Sequence, residues 1–176
     1  MTDDLGVARG ADLQAFGEPG QRTFQLRVSG ANDQSASLWL EKEHLQALAL
    51  AFQQLLAEIK YKDEPRAIRL SDFPDAAQHD FKVGRIGMGF RQPDQTVVLQ
   101  VDETAEEGDD FRLRFQLTLE HCASLSVQLG EIIAGGRPIC PLCALPIEAE
   151  GHACVRANGH LKLPIPEEDS GDEDAE

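Results

Sequence analysis

Between Cys140 and His160 the chain runs CPLCALPIEAEGHACVRANGH, which gathers three of its four cysteines and two of its five histidines into one short stretch. No other segment restricts the fold as strongly. The order is Cys140-x2-Cys143, eight residues, His152-x-Cys154, five residues and His160. Thiolate and imidazole are the donors a tetrahedral zinc ion takes. A Cys-x2-Cys turn aims both sulfurs at one centre, with Pro141 stiffening it and neighbouring amides free to bond the thiolates. His152 and Cys154 sit on a second tight loop after Gly151 and supply the opposing pair. The expected ligand set is therefore Cys140, Cys143, His152 and Cys154; spacing alone leaves open a set in which His160 replaces His152. With four ligands from protein the zinc is structural, clamping a segment of about 25 residues that is too short to bury a core of its own. A redox Cys-x2-Cys fits less well, because that motif opens a helix after a strand and Pro146 with the nearby glycines reads as loop.

The remainder is long enough for one core. Its first eleven residues read as poorly ordered. Phe24, Leu26 and Val28 alternate with Gln25, Arg27 and Ser29, the period of a half-buried strand, and Ser35–Leu40 returns as its hairpin partner after Gly30-Ala31-Asn32-Asp33. A shorter strand near Leu13–Phe16 precedes both. From Glu41 to about Lys60, Leu45, Leu48, Phe52, Leu55, Leu56 and Ile59 recur at three- and four-residue steps, one face of a helix. Residues 61–80, charged and interrupted by Pro65 and Pro74, read as loop. Phe81–Phe90 reads as one strand with a parity shift at Gly84 that suggests a bulge. A turn at Gln92–Gln95, strands at Thr96–Val101 and Phe111–Leu119, and a helix from Thr118 to Ala134 closed by Gly135-Gly136 complete the pattern.

A shift of 77 residues lays Leu40, Glu43, His44, Leu48, Leu55 and Leu56 on Leu117, Glu120, His121, Leu125, Ile132 and Ile133. Both halves then read β-β-β-α, either as a duplication or as the likeness any two amphipathic helices share when each follows strands. The expected fold class is α+β, an antiparallel sheet covered by two helices, with a small C-terminal zinc-binding element. The expected organisation is an α+β domain over 12–136, a zinc knuckle over 137–163 and a disordered acidic tail over 164–176, where seven acids and no base fill the last ten residues.

Charge narrows the function. Sixteen Lys and Arg face 31 Asp and Glu, a formal net charge of −15. Such a chain repels phosphate backbones, so no nucleic acid is expected, although Arg137, Arg156 and Lys162 flank the metal stretch. No apolar run reaches the 18 residues a membrane helix needs, and acids stand where a signal peptide carries bases; the expected location is the cytoplasm, with no membrane partner. Cys122 falls on the apolar stripe of the second helix and reads as an inert buried thiol. His44 and His121, each opening a helix beside a glutamate, read as solvated first turns, and His79-Asp80 as part of a charged loop. Arg112 and Arg114, with Arg27, offer either an anion-binding surface or ordinary sheet solvation.

The strings GEPGQRTF at 17–24, LEKEHLQALA at 40–49, FKVG at 81–84 and GRPICPLCALPIEAEGHACVRANGH at 136–160 together resemble an uncharacterised bacterial family catalogued as domain of unknown function 3090, over about residues 12–161. The family pattern often has glycine at Ala144 and proline at Val155, departures that touch loop geometry and not the proposed ligands. It often has tyrosine at His160, which implies His152 as the fourth ligand. The resemblance carries no activity; it draws attention to Glu18, Gln21 and Arg22 on a rigid turn. The expected function is a non-enzymatic, zinc-stabilised interaction or adaptor module with a protein partner, and no catalytic residues are assigned. The alternative is an enzyme or anion-ligand binder using the Glu18/Gln21/Arg22 turn and the sheet arginines.

Overall fold

A computed structural model of the chain describes residues 1–18, 20–103, 105–106, 108, 110–135, 140, 142–143, 147 and 151–154. It falls into two units, Met1–Gly136 and Arg137–Glu176. The first unit is built from two interlocked repeats. The leading repeat comprises β1 (Asp3–Val7), β2 (Gly10–Phe16), β3 (Thr23–Ser29), β4 (Ser35–Leu40) and α1 (Lys42–Glu58). The second comprises β5 (His79–Lys82), β6 (Arg85–Arg91), β7 (Thr96–Asp102), β8 (Leu113–Thr118) and α2 (Leu119–Ala134).

Each β-β-β-α unit is present, with a fourth strand ahead of it that pairs in the other repeat. The strands β2, β3 and β4 form an antiparallel meander, and β5 adds to β4 in parallel; β6, β7 and β8 form the second meander, and β1 adds to β8 in parallel. The class is α+β with two helices, as the periodicities indicate, and the strands divide between two four-stranded sheets. The exchange is regular. Ala36 pairs with His79, and Leu113, 77 residues after Ala36, pairs with Asp3.

Two consecutive amides mark each crossing from sheet to sheet. Ala8 N–H bonds the Gln116 carbonyl at 2.8 Å and Arg9 N–H the Ser29 carbonyl at 2.8 Å; Val83 N–H bonds Trp39 and Gly84 N–H bonds Asp102, both at 2.8 Å. The parity shift at Gly84 is thus a change of sheet, not a bulge within one strand. The first eleven residues are likewise ordered, contrary to the expectation from their charge. Leu5 is fully buried and joins the core, while Asp3 and Asp4 on the same strand face outward.

One core takes the inner faces of both sheets, with Leu26, Leu38, Leu99 and Phe115 among its members, and the helix stripes of Leu45, Leu48, Phe52, Leu125 and Leu129. Each helix starts with a reciprocal cap. Thr118 Oγ accepts from His121 N–H at 3.2 Å, and Thr118 N–H donates to His121 Nδ1 at 3.4 Å. Glu41 and His44 repeat the arrangement at α1. The two histidines then tie each helix to the opposite crossing: His44 Nε2 lies 3.4 Å from the Gly84 carbonyl, and His121 bonds the Arg9 backbone. Burial holds the His121 imidazole below its ordinary range, against smaller opposing effects of Glu120 and the Arg9 bond. Gly135 ends α2 in the left-handed conformation at φ 61°, which glycine adopts without penalty.

The segment 61–78 carries no helical turn and is held by side chains rather than by a strand ladder. Gln128, fully buried on α2, accepts the Leu13 N–H at 2.9 Å and donates to the Ile68 carbonyl at 3.0 Å, while Ser124 Oγ accepts the Ile68 N–H at 2.7 Å. Asp12, also fully buried, accepts both Arg27 Nε at 2.8 Å and Arg27 Nη2 at 2.6 Å, and the Leu70 N–H at 2.9 Å. The open edge of β2 is thereby covered, which removes a template for strand addition.

Candidate metal centre

Four described residues of the second unit converge. One donor atom each from Cys140, Cys143, His152 and Cys154 lies within 4.8 Å of every other, so this Cys3His group could hold a metal ion. Cys140 Sγ lies 3.7 Å from Cys154 Sγ, and Cys143 Sγ lies 3.1 Å from His152 Nε2. None of the four cysteines is joined in a disulfide. The local chain explains the convergence. After Cys140 a tight turn brings the Cys143 and Leu142 amides onto the Cys140 sulfur, and those bonds, with the neighbouring sulfurs, pull its thiol down to about 6. A thiol so placed is a thiolate at neutral pH, the form a metal takes. Gly151 precedes the second pair at φ 111°, where a side chain would be strained, and it lets His152 and Cys154 turn back. His160 and the acidic tail lie outside the described residues.

The other candidates separate. Glu18 and Gln21 are exposed on their turn, where Gln21 N–H closes onto the Glu18 carbonyl at 3.0 Å. Arg22 is committed elsewhere: its Nη2 donates to the Ile132 carbonyl at 2.9 Å, capping α2, and its guanidinium lies 5.5 Å from the Phe24 ring centre. The three sheet arginines do not form one anion surface. Arg27 stands on β3 and is engaged by Asp12, whereas Arg114 on β8 pairs with Asp4, and Arg112 pairs with Glu103 over the Phe81 ring. Cys122 is fully buried, and burial pushes its thiol up to about 12, which leaves it inert. His79-Asp80 opens β5 rather than lying in a loop, and Asp80 Oδ1 accepts the Trp39 indole N–H at 2.8 Å. No helix among the described residues is long and apolar enough to cross a membrane.

The fold and the site together define an α+β protein of two strand-exchanged repeats that carries a C-terminal Cys3His group. The chain belongs to the family described as "Protein of unknown function (DUF3090)", which matches residues 11–154 and so covers the first repeat from β2 onward, the whole second repeat and all four converging residues. No curated protein and no solved structure matches it.

Proposed function

We propose that the protein is a non-enzymatic interaction module in the cytoplasm, and that a structural zinc ion bound by Cys140, Cys143, His152 and Cys154 holds its C-terminal element in shape. The observation that carries this reading is the closeness of four protein donors to one another. Zinc–sulfur bonds of ~2.3 Å at tetrahedral angles separate two sulfurs by about 3.8 Å, and the Cys140–Cys154 separation of 3.7 Å fits that edge. Three thiolates and one imidazole favour zinc over the harder divalent ions, which take oxygen. Four protein ligands close the coordination sphere, leaving no position for a substrate or an activated water. A segment this short has no core to fold around, so the ion supplies its folding energy.

The alternative anion-binding or enzymatic reading draws no support from its own residues, since Arg22 caps a helix and Arg27, Arg112 and Arg114 each hold a carboxylate. The test is a broad metabolite and hydrolase screen on zinc-loaded protein. No turnover is expected; reproducible turnover abolished by Cys143→Ser would contradict the module reading.

A further inference from the structure

The outer face of the β2–β3–β4–β5 sheet, turned away from the helices, carries a cleft of about 260 Å³. Register builds its floor. Arg27 on β3 stands opposite Ser37 on β4, which stands opposite Asp80 on β5, and Gln25 stands opposite Trp39 in the next row. The segment after Leu70 closes one side with Phe73 and Asp75. Aromatic surface therefore meets uncompensated negative charge. Arg27 lines the cleft but is spent: Asp12 takes its Nε and Nη2, and Phe73 lies 5.1 Å from its guanidinium carbon. Asp75 has no ion pair among the described residues, and Asp80 receives only the neutral indole N–H. Lys82, the next residue of β5 on this face, is held by Glu41 at 2.5 Å. Gln25 donates its amide N–H to Ser37 Oγ, which leaves its carbonyl as a further acceptor.

We propose that this cleft takes the cationic side chain, arginine or lysine, of a protein partner. Two carboxylates without an ion-pair partner among the described residues and the Trp39 ring offer a guanidinium or ammonium group an ion pair and a ring quadrupole at once. The apolar stem of such a side chain matches the aromatic walls. The rim also suits a polypeptide: Phe16, 46% exposed, lies 5.9 Å from Trp39 and extends apolar surface along the sheet. The net charge of −15 steers a basic partner to this chain. The assignment rests on the interaction-module reading and places one anchor of that interaction on the α+β unit, away from the metal ligands in sequence.

Trp39 is the only tryptophan, so its fluorescence reports the cleft directly. Full-length zinc-loaded protein is titrated at low salt with acetyl-Gly-Arg-Gly-amide and acetyl-Gly-Lys-Gly-amide, with the Glu and Gln peptides as comparisons. The basic peptides are expected to give a saturable change that the others lack, weakened about tenfold or more in Asp75→Asn/Asp80→Asn. A thermal melt of that variant matching the parent shows that the loss is local. Absence of a saturable change, an equal change in the variant, or stronger binding of the Glu peptide would overturn the assignment. Much tighter binding of free agmatine than of the Arg peptide would also overturn it, in favour of a small-molecule site. A protein partner bound equally by parent and variant would overturn the cleft while leaving the module reading intact.

Discussion

Asp12→Ala isolates the physics that holds the first repeat together. Asp12 is fully buried, and the Arg27 side chain is 16% exposed, so this is an interior pair and not a surface one. The carboxylate accepts three hydrogen bonds, two from Arg27 at 2.8 and 2.6 Å and one from the Leu70 N–H at 2.9 Å. Removing it strands a guanidinium that water reaches poorly and a backbone donor at the β2 edge. Breaking a buried pair from one side costs about 3–5 kcal/mol. The exposed pair of Arg114 and Asp4 supplies the internal contrast: Asp4→Ala is expected to cost under ~1 kcal/mol. Because much of the larger figure is the penalty of an orphaned charge, Asp12→Leu/Arg27→Met is expected to recover most of it. The assay is urea unfolding of the full chain at neutral pH with zinc present, followed by Trp39 fluorescence and by circular dichroism. A cost for Asp12→Ala no larger than that for Asp4→Ala, or strictly additive losses in the double variant, would show that Asp12 and Arg27 do not act as a buried pair.

Three further outcomes follow from other parts of the fold. Gln128→Leu leaves the Leu13 N–H without its partner and the Ile68 carbonyl with only the longer 3.5 Å bond from Ser124 Oγ, so about 1–3 kcal/mol is expected to be lost, and hydrogen exchange at Leu13 is expected to quicken. A chain nicked by an engineered protease site at Asp72–Asp75 is expected to stay associated, since β1 pairs with β8 and β5 with β4 across the cut; halves that part on a sizing column without denaturant would contradict the exchange. His121, held below its ordinary range chiefly by burial, binds fewer protons folded than unfolded. Its contribution is complete above the unfolded value of ~6.5 and is lost as pH falls through the lower folded value, so His121→Gln is expected to flatten the acid side of the stability–pH curve.

Much of this architecture is written in local periodicity. Both helices and the two meanders appear in the spacing of Leu, Ile and Phe, because each element buries one face and repeats with its own period. The convergence of Cys140, Cys143, His152 and Cys154 is legible for a similar reason, since two short turns fix the positions of four donors. What the sequence hides is pairing. Residues 81–90 read as one strand because hydrophobic alternation does not say which sheet a residue joins, and Gly84 signals the break without its meaning. The segment Asp3–Val7 reads as disordered because an edge strand needs only Leu5 inward and exposes its acids. Gln128 sits beside an apolar stripe, and its burial answers the backbone groups of Leu13 and Ile68, which no local pattern reveals. The outer cleft requires the register of three strands and the return of Phe73, none of which a linear pattern contains.

Three sulfurs and one imidazole near the C-terminus are proposed to hold one zinc ion. Cobalt(II) titration of metal-free protein tests it most directly, because the visible spectrum of cobalt reads ligand number and type. Saturation is expected at one ion per chain with intense tetrahedral bands and thiolate charge transfer, displacement by zinc, loss on Cys143→Ser or His152→Ala, and no change on His160→Ala. A spectrum without thiolate charge transfer, or one lost in His160→Ala and kept in His152→Ala, would contradict it.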